Sequence, residues 1–352
     1  MLTKKFGSFI LILVYETYFA KGLLYNMKTP IGSGVITNYN CNAECRHCMF
    51  ASSPKCEKNY ISREMSEKVA DILERSGALG VHIGGGEPFL DFDGLCGLVS
   101  ALSRHGIGID YIETNGFWAA DEDAARRKLI VLKKLGVSTI MVSVDPFHIE
   151  FVPLERPLKL CALLEEEGFD YFIWQQKFVA RLMKLDITKT HKKQELMEVL
   201  GEDYITDTAR EYGLGVNGRA LSFAEKLYGK KPYEVFVTED KCPSLTTPNH
   251  CHIDLYGNAV PSRCTGICAD AEDYLNLDTP KEKYPVLASL ISGGTKGLFE
   301  YASSLGFIPD KEGYPTRCAF CFAMREYLER THPSKDLSDK DFYSCMRKAF
   351  MQ

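Results

Sequence analysis

A chain of 352 residues, 45% apolar and 25% charged, can bury one large α/β domain plus a smaller module, which excludes a disordered protein. A net charge of −5 supplies no general basic field, arguing against long nucleic acid as a partner. The thirteen cysteines fall mostly between 41 and 56 or between 242 and 345, which suits metal sites in a reducing cytoplasm better than a disulfide framework.

In chain order, Lys4-Lys5 and the apolar run from Phe9 to Tyr15 imitate a signal peptide, but the run is too short to span a membrane. No small-residue cleavage site follows it. Met27 is therefore expected to be the true start, with residues 1–26 a leader outside any domain. After the turn Gly32-Ser33-Gly34, the β-branched run Val35-Ile36-Thr37 reads as a first strand leading to Cys41-Asn42-Ala43-Glu44-Cys45-Arg46-His47-Cys48. Ser62 caps a helix with its apolar stripe at Met65, Val69, Ile72 and Leu73, and Gly77 ends it. Val81-His82-Ile83 is the second strand and runs into Gly84-Gly85-Gly86-Glu87-Pro88. A helix carrying Leu95, Leu98, Val99 and Leu102 follows, then a strand over 109–112 that ends in Glu113-Thr114-Asn115-Gly116. Asp121 or Asp123 starts the next helix, Gly136 stops it, and 139–144 forms a fourth strand ending in Ser143-Val144-Asp145-Pro146-Phe147-His148. A helix over 157–167, a strand over 171–174, a polar helix over 192–212 and a strand near Val216 bring the count to six strands alternating with helices.

Strand-helix units with polar residues mostly after each strand predict a parallel barrel whose site lies at the carboxyl ends of its strands. The expected fold class is α/β: a partial (β/α)6 TIM-like barrel over 27–235, a small cysteine-rich module over 236–330, and a tail over 331–352. The polar insert 186–203 reads as a solvated helix.

Three thiolates spaced by three and then two residues can hold three irons of a four-iron cluster, leaving one iron open. Zinc is the alternative occupant, although a zinc ribbon wants four ligands in paired spacing. The glycines after the second strand let backbone approach a ligand closely, but Glu87-Pro88 puts an acid where a phosphate loop carries Lys and Ser or Thr. Together, the cysteine loop and Gly85-Gly86-Glu87-Pro88 about forty residues later resemble the radical S-adenosylmethionine (SAM) superfamily, with His47 standing where Tyr or Phe is commoner. The resemblance implies cluster ligation by Cys41, Cys45 and Cys48 and contact of Gly85, Gly86 and Glu87 with the methionine amino group of SAM. It also implies a cofactor-pocket wall at Asn115 and ribose contacts from Ser143 and Asp145. Asn217-Gly218-Arg219 is either a plain turn or an Arg219 that anchors the cofactor carboxylate or a substrate anion.

Beyond 240, Cys242, Cys251, Cys264, Cys268, Cys318, Cys321 and Cys345 are too many to explain by packing. Cys251 to Cys264 reads as two short strands around a Tyr256-Gly257-Asn258 turn. With Cys318-Ala319-Phe320-Cys321 it resembles the SPASM or twitch modules of radical SAM enzymes, implying one or two auxiliary iron-sulfur clusters held among Cys242, Cys251, Cys264, Cys268, Cys318 and Cys321. Structural zinc is the alternative there.

The family's chemistry is reductive cleavage of SAM by a [4Fe-4S] cluster and removal of a substrate hydrogen atom, with flavodoxin or ferredoxin as electron donor. A peptide or protein side chain is the first expected substrate. A small-molecule dehydrogenation or tetrapyrrole modification is the second. A non-catalytic iron-sulfur carrier is the third, which Gly85-Gly86-Glu87-Pro88, Ser143 and Asp145 speak against, because a carrier needs no cofactor pocket.

Overall fold

The computed structural model describes residues 32–246, 250–261, 263–275, 281–337 and 340–350, so the leader 1–26 lies outside the described residues. Five parallel strands form in chain order: β1 (Gly32–Ile36), β2 (Gly80–Gly84), β3 (Gly108–Thr114), β4 (Thr139–Ser143) and β5 (Asp170–Trp174). Between them run α1 (Arg63–Ser76), α2 (Phe92–Arg104), α3 (Glu122–Lys134) and α4 (Glu155–Glu166).

The helix ends follow their local chemistry. Ser62 Oγ accepts from Met65 N at 3.0 Å, Asp121 Oδ1 accepts from Ala124 N at 2.9 Å, and Gly77 closes α1 in the left-handed region at φ 78°. Val81 and Ile83, Ile112, and Ile140 and Val142 are buried from one face of the sheet, in the same core as Val69, Leu73, Leu95, Leu98 and Leu129 of the helices. This burial is the main stabilising term, because each fully buried aliphatic side chain contributes about 1.5–3 kcal/mol.

The expected helix over 192–212 is two helices, α5 (Lys193–Leu200) and α6 (Tyr204–Tyr212), because Gly201 takes φ 102° and breaks the run. The expected strand near Val216 is absent. Gly218, at φ 51°, enters a short 3-10 turn, and a Cβ there would stand 2.3 Å from the Met49 carbonyl oxygen. The backbone thus presses against the cysteine loop rather than extending beside β5.

The sixth parallel strand joins the opposite edge instead. β6 (His250–Asp254) pairs in parallel with β1, aligning Gly34 with His252, and the hairpin to β7 (Asn258–Pro261) and then β8 (Ala269–Asp270) continues the sheet in the order β5-β4-β3-β2-β1-β6-β7-β8. Asp254, fully buried, accepts from Tyr256 N, Asn258 N and Tyr39 OH, which pins the hairpin turn to the segment entering the cysteine loop. Helices α7 (Pro285–Ser304), α8 (Arg317–Thr331) and α9 (Lys340–Phe350) complete a helical, cysteine-containing carboxyl-terminal region. Among the described residues, no helix is long and apolar enough to cross a membrane.

Candidate active site

The cysteine loop leaves the carboxyl end of β1, and its shape comes from bonds made by its neighbours. Cys41 N donates to the Ser53 carbonyl (3.2 Å), Cys48 N to Cys45 O (3.0 Å) and Arg219 N to Cys48 O (2.9 Å). Cys41 and Cys45 are buried with Phe147, and Cys48 packs against them. Burial and then the neighbouring Cys45, Glu87 and Cys48 raise the Cys41 thiol well above its usual range. Burial likewise raises Cys45, opposed by His148. Three thiols crowded in this way suit a cationic cluster, which would stabilise the thiolates that burial disfavours.

The glycine loop after β2 packs on the same segment. Gly86 N donates to Asn38 O at 2.7 Å, and a Cβ on Gly86 would lie 2.0 Å from Asn40 O, so no larger residue fits without moving backbone. Glu87 is buried at the rim, accepting from Phe89 N (3.2 Å), Thr114 Oγ1 (2.8 Å) and Asn115 N (2.8 Å). Burial pushes its pKa up to about 7 against those three donors. Asn115 Nδ2 donates to Asn42 Oδ1 at 2.9 Å and stands 3.9 Å from Cys41 Sγ, which ties the end of β3 to the cysteine loop. The residues expected after three separate strands thus meet at one rim.

Two residues expected to contact the cofactor are bonded by the chain itself. Asp145 is fully buried, accepting from Phe147 N (2.8 Å), His148 N (3.0 Å) and His148 Nδ1 (2.8 Å), with His47 Nε2 at 3.6 Å. It caps the turn after β4 with its oxygens engaged by the chain's own donors, whereas Ser143, at the strand end, is partly exposed. Burial raises the Asp145 pKa, but His148 and His47 outweigh it and hold the carboxyl below its ordinary range. Asp145→Ala is expected to cost about 3 kcal/mol by orphaning buried donors, read as a lower urea midpoint. Because the folded pKa is depressed, the carboxylate's contribution is full well above its unfolded value of about 4, shrinks as pH falls below that, and is gone once pH is below the folded value.

Arg219, expected to hold an anion, is buried and turned onto the loop. Its Nη1 donates to Cys45 O and its Nη2 to Ala51 O and Ser52 O, each at 2.7 Å. The reason is local: the loop presents carbonyls outside any helix or strand, and a planar guanidinium can serve three at once. His47 fills the aromatic position of the motif, with its ring centroid 5.0 Å from Phe147 and 5.2 Å from Tyr212. Burial lowers its pKa to about 4, and its Nδ1 is buried with no hydrogen-bond partner, which suits a ligand that brings one.

In the carboxyl-terminal region, Cys242, Cys264, Cys318 and Cys321 line one pocket with Arg317 and Arg325. Burial chiefly pushes Cys264 up to about 12, Arg325 opposing it and the other three cysteines adding to it. Four converging thiols fit either an iron-sulfur cluster or zinc. Cys251 and Cys268 are not in that wall. Cys251 points from β6 toward Ser33 of β1, and Cys268 Sγ faces the Lys335 carbonyl at 3.6 Å. Strand direction explains the division, because the β1–β6 pairing holds Cys251 within the sheet.

Sequence reasoning missed a cluster on the sheet face opposite the one that packs on α1, α2 and α3. Side chains two apart on a strand share a face, and here His250 and His252, His82, Tyr111 and Glu113 come together across Gly34. His82 Nε2 lies 3.1 Å from His252 Nε2 and 3.8 Å from Glu113 Oε1. Burial lowers His82 to about 3, and burial followed by Glu87 raises Glu113 to about 7. The His-x-His spacing at 250–252 was the available signal.

A three-thiol loop and a Gly-Gly-Glu-Pro rim at the carboxyl ends of a partial parallel barrel define a class of cluster-dependent SAM enzymes. The family model of the radical SAM superfamily matches residues 35–174. The putative peptide biosynthesis protein YydG of Bacillus subtilis is 32% identical over 230 residues, 63% of this chain and 67% of that protein. The mycofactocin maturase MftC of Mycolicibacterium smegmatis is 36% identical over 88 residues, 25% of this chain but only 22% of its own length. Among solved structures, SuiB of Streptococcus suis bound to its precursor peptide SuiA covers 91% of this chain and 82% of its own, at 17% identity and a TM-score of 0.46. The chain belongs to the radical SAM superfamily and carries its catalytic domain.

Proposed function

We propose that the chain modifies a side chain or backbone carbon of a ribosomally made peptide by radical SAM chemistry. The observation that carries this reading is the 32% identity with the putative peptide biosynthesis protein YydG over two thirds of that protein's length. The open face of the sheet supports it, because Phe172 and Trp174 are 39% and 43% exposed there and offer apolar surface to a peptide side chain.

In this reading Cys41, Cys45 and Cys48 hold a [4Fe-4S] cluster, and Cys242, Cys264, Cys318 and Cys321 hold one auxiliary cluster. A flavodoxin or ferredoxin supplies the electron in the cytoplasm. Held by Cys41, Cys45 and Cys48, such a cluster would supply the electron that cleaves SAM to methionine and a radical able to take a hydrogen atom from the substrate. Arg219 and Asn115 fix the cysteine loop, the Gly85-Gly86 backbone admits the methionine end of SAM, and Glu87 accepts from its amino group in place of one of the donors that now hold it.

Since Glu87 gains its charge as pH rises through about 7, SAM affinity should increase over that interval. Calorimetric titration on either side of neutrality checks this, and a Glu87→Gln variant should lose that increase. The function itself is tested by anaerobic incubation with candidate precursor peptides, including the product of any short reading frame beside the gene, read by mass spectrometry. A mass or isotope change confined to one peptide supports the proposal. SAM cleavage with no change in any such peptide, together with turnover of a small alcohol or a tetrapyrrole, overturns it.

A further inference from the structure

The face of the sheet opposite the helices carries a second group of ligand-type side chains, below the cysteine loop and outside the SAM pocket. The ring nitrogens of His82, His250 and His252 offer three donor atoms that all lie within 4.8 Å of one another. His82 and His252 are both 7% exposed, and His250 is half-buried. Their rings stand at 5.0 Å (His82–His252), 5.1 Å (His82–His250) and 4.8 Å (His250–His252) between centroids.

This grouping depends on the strand between them. β1 separates β2 from β6, and it places Gly34 opposite both His82 and His252. A Cβ at Gly34 would come within 2.5 Å of each ring, so the glycine opens the gap through which the two imidazoles meet. Hydrogen bonding does not use up the group. The His82 and His252 Nε2 atoms lie 3.1 Å apart, room for one hydrogen bond whose donor is set by the tautomers, and His252 Nδ1 is buried with no hydrogen-bond partner.

We propose that His82, His250 and His252 form a site for a divalent first-row metal ion of the zinc class, with an open coordination position toward the interior of the barrel. Neutral imidazoles are the ligands such ions prefer, and three of them leave a fourth position free. On a tetrahedral ion with about 2.0–2.1 Å bonds, ligand nitrogens lie about 3.3 Å apart. The His82–His252 pair already has nearly that separation, and the half-buried His250 ring closes the remainder by rotation. Glu113 Oε1, 3.8 Å from His82 Nε2, is placed to orient a ligand or to hold a proton from a bound water. The position suits an oxygen donor of the substrate, such as a carbonyl or carboxylate, entering from the open side of the sheet. This site goes beyond the proposed peptide chemistry and does not depend on the cysteines.

The test uses the anaerobically prepared chain with its iron and sulfide loaded, equilibrated with one equivalent of zinc and desalted. Elemental analysis should find about one zinc per chain, and X-ray absorption at the zinc edge should show nitrogen and oxygen at about 2.0–2.1 Å with no sulfur at about 2.3 Å. His250→Gln, at the half-buried position, should keep the fold and weaken zinc binding by about tenfold or more, since even outer-shell changes cost that much. His252→Gln should do the same, with circular dichroism to confirm folding. A sulfur shell, no retained zinc, or undiminished binding in His250→Gln would overturn the proposal. SAM cleavage measured on the same samples reports separately on the radical reading.

Discussion

Cys45→Ala is expected to reduce 5'-deoxyadenosine formation to the level of a cluster-free control. Cys45 is the middle ligand of the loop. Its thiol is buried beside His148, and its carbonyl accepts from both Cys48 N and Arg219 Nη1. Two remaining thiolates cannot hold three irons of a cluster and leave one iron open. Alanine keeps the backbone carbonyl, so the loop bonds survive and the loss reports on ligation rather than on folding. The measurement is anaerobic reconstitution, iron and sulfide analysis, and chromatography of the nucleoside after adding a strong reductant. Undiminished formation would falsify the assignment of the loop.

Arg219→Ala should have the largest effect on stability, lowering it by about 3–5 kcal/mol, because it leaves three buried carbonyls without their charged donor. The same change should lower the iron retained by the first cluster, since the freed carbonyls are those of Cys45, Ala51 and Ser52 around the ligands. Arg219→Lys is expected to recover only part of either loss, because an ammonium cannot serve three carbonyls from one plane. Urea denaturation and iron content of the reconstituted variants decide it. A wild-type midpoint with lost SAM affinity would instead return Arg219 to the anchoring role expected from the sequence.

Much of the first site was legible because its chemistry is written in short, contiguous segments. Cys41, Cys45 and Cys48 share one loop, and Gly85-Gly86-Glu87-Pro88 follows a strand whose alternation is visible in Val81-His82-Ile83. The roles of single polar residues were less legible. Asp145 and Ser143 alternate as two ribose ligands should, yet the chain turns directly after β4 and the Asp145 carboxylate is taken up by Phe147 N, His148 N and the His148 ring. A side chain that can bond its own backbone two or three residues on will do so unless the strand continues past it.

The sequence by itself therefore determined the alternating strand-helix order, the helix caps at Ser62 and Asp121, the three-thiol loop and the glycine rim. All of these rest on interactions between residues close in the chain. Only the tertiary structure decided which edge of the sheet accepts β6, which four of the later cysteines share a pocket, and that Arg219 faces the cysteine loop. It also decided that His82 meets His250 and His252 across Gly34. Those outcomes depend on strand pairing and packing between segments far apart in sequence. There, hydrogen-bond demand and burial act on whatever side chains the fold brings together, and no local pattern records the partner.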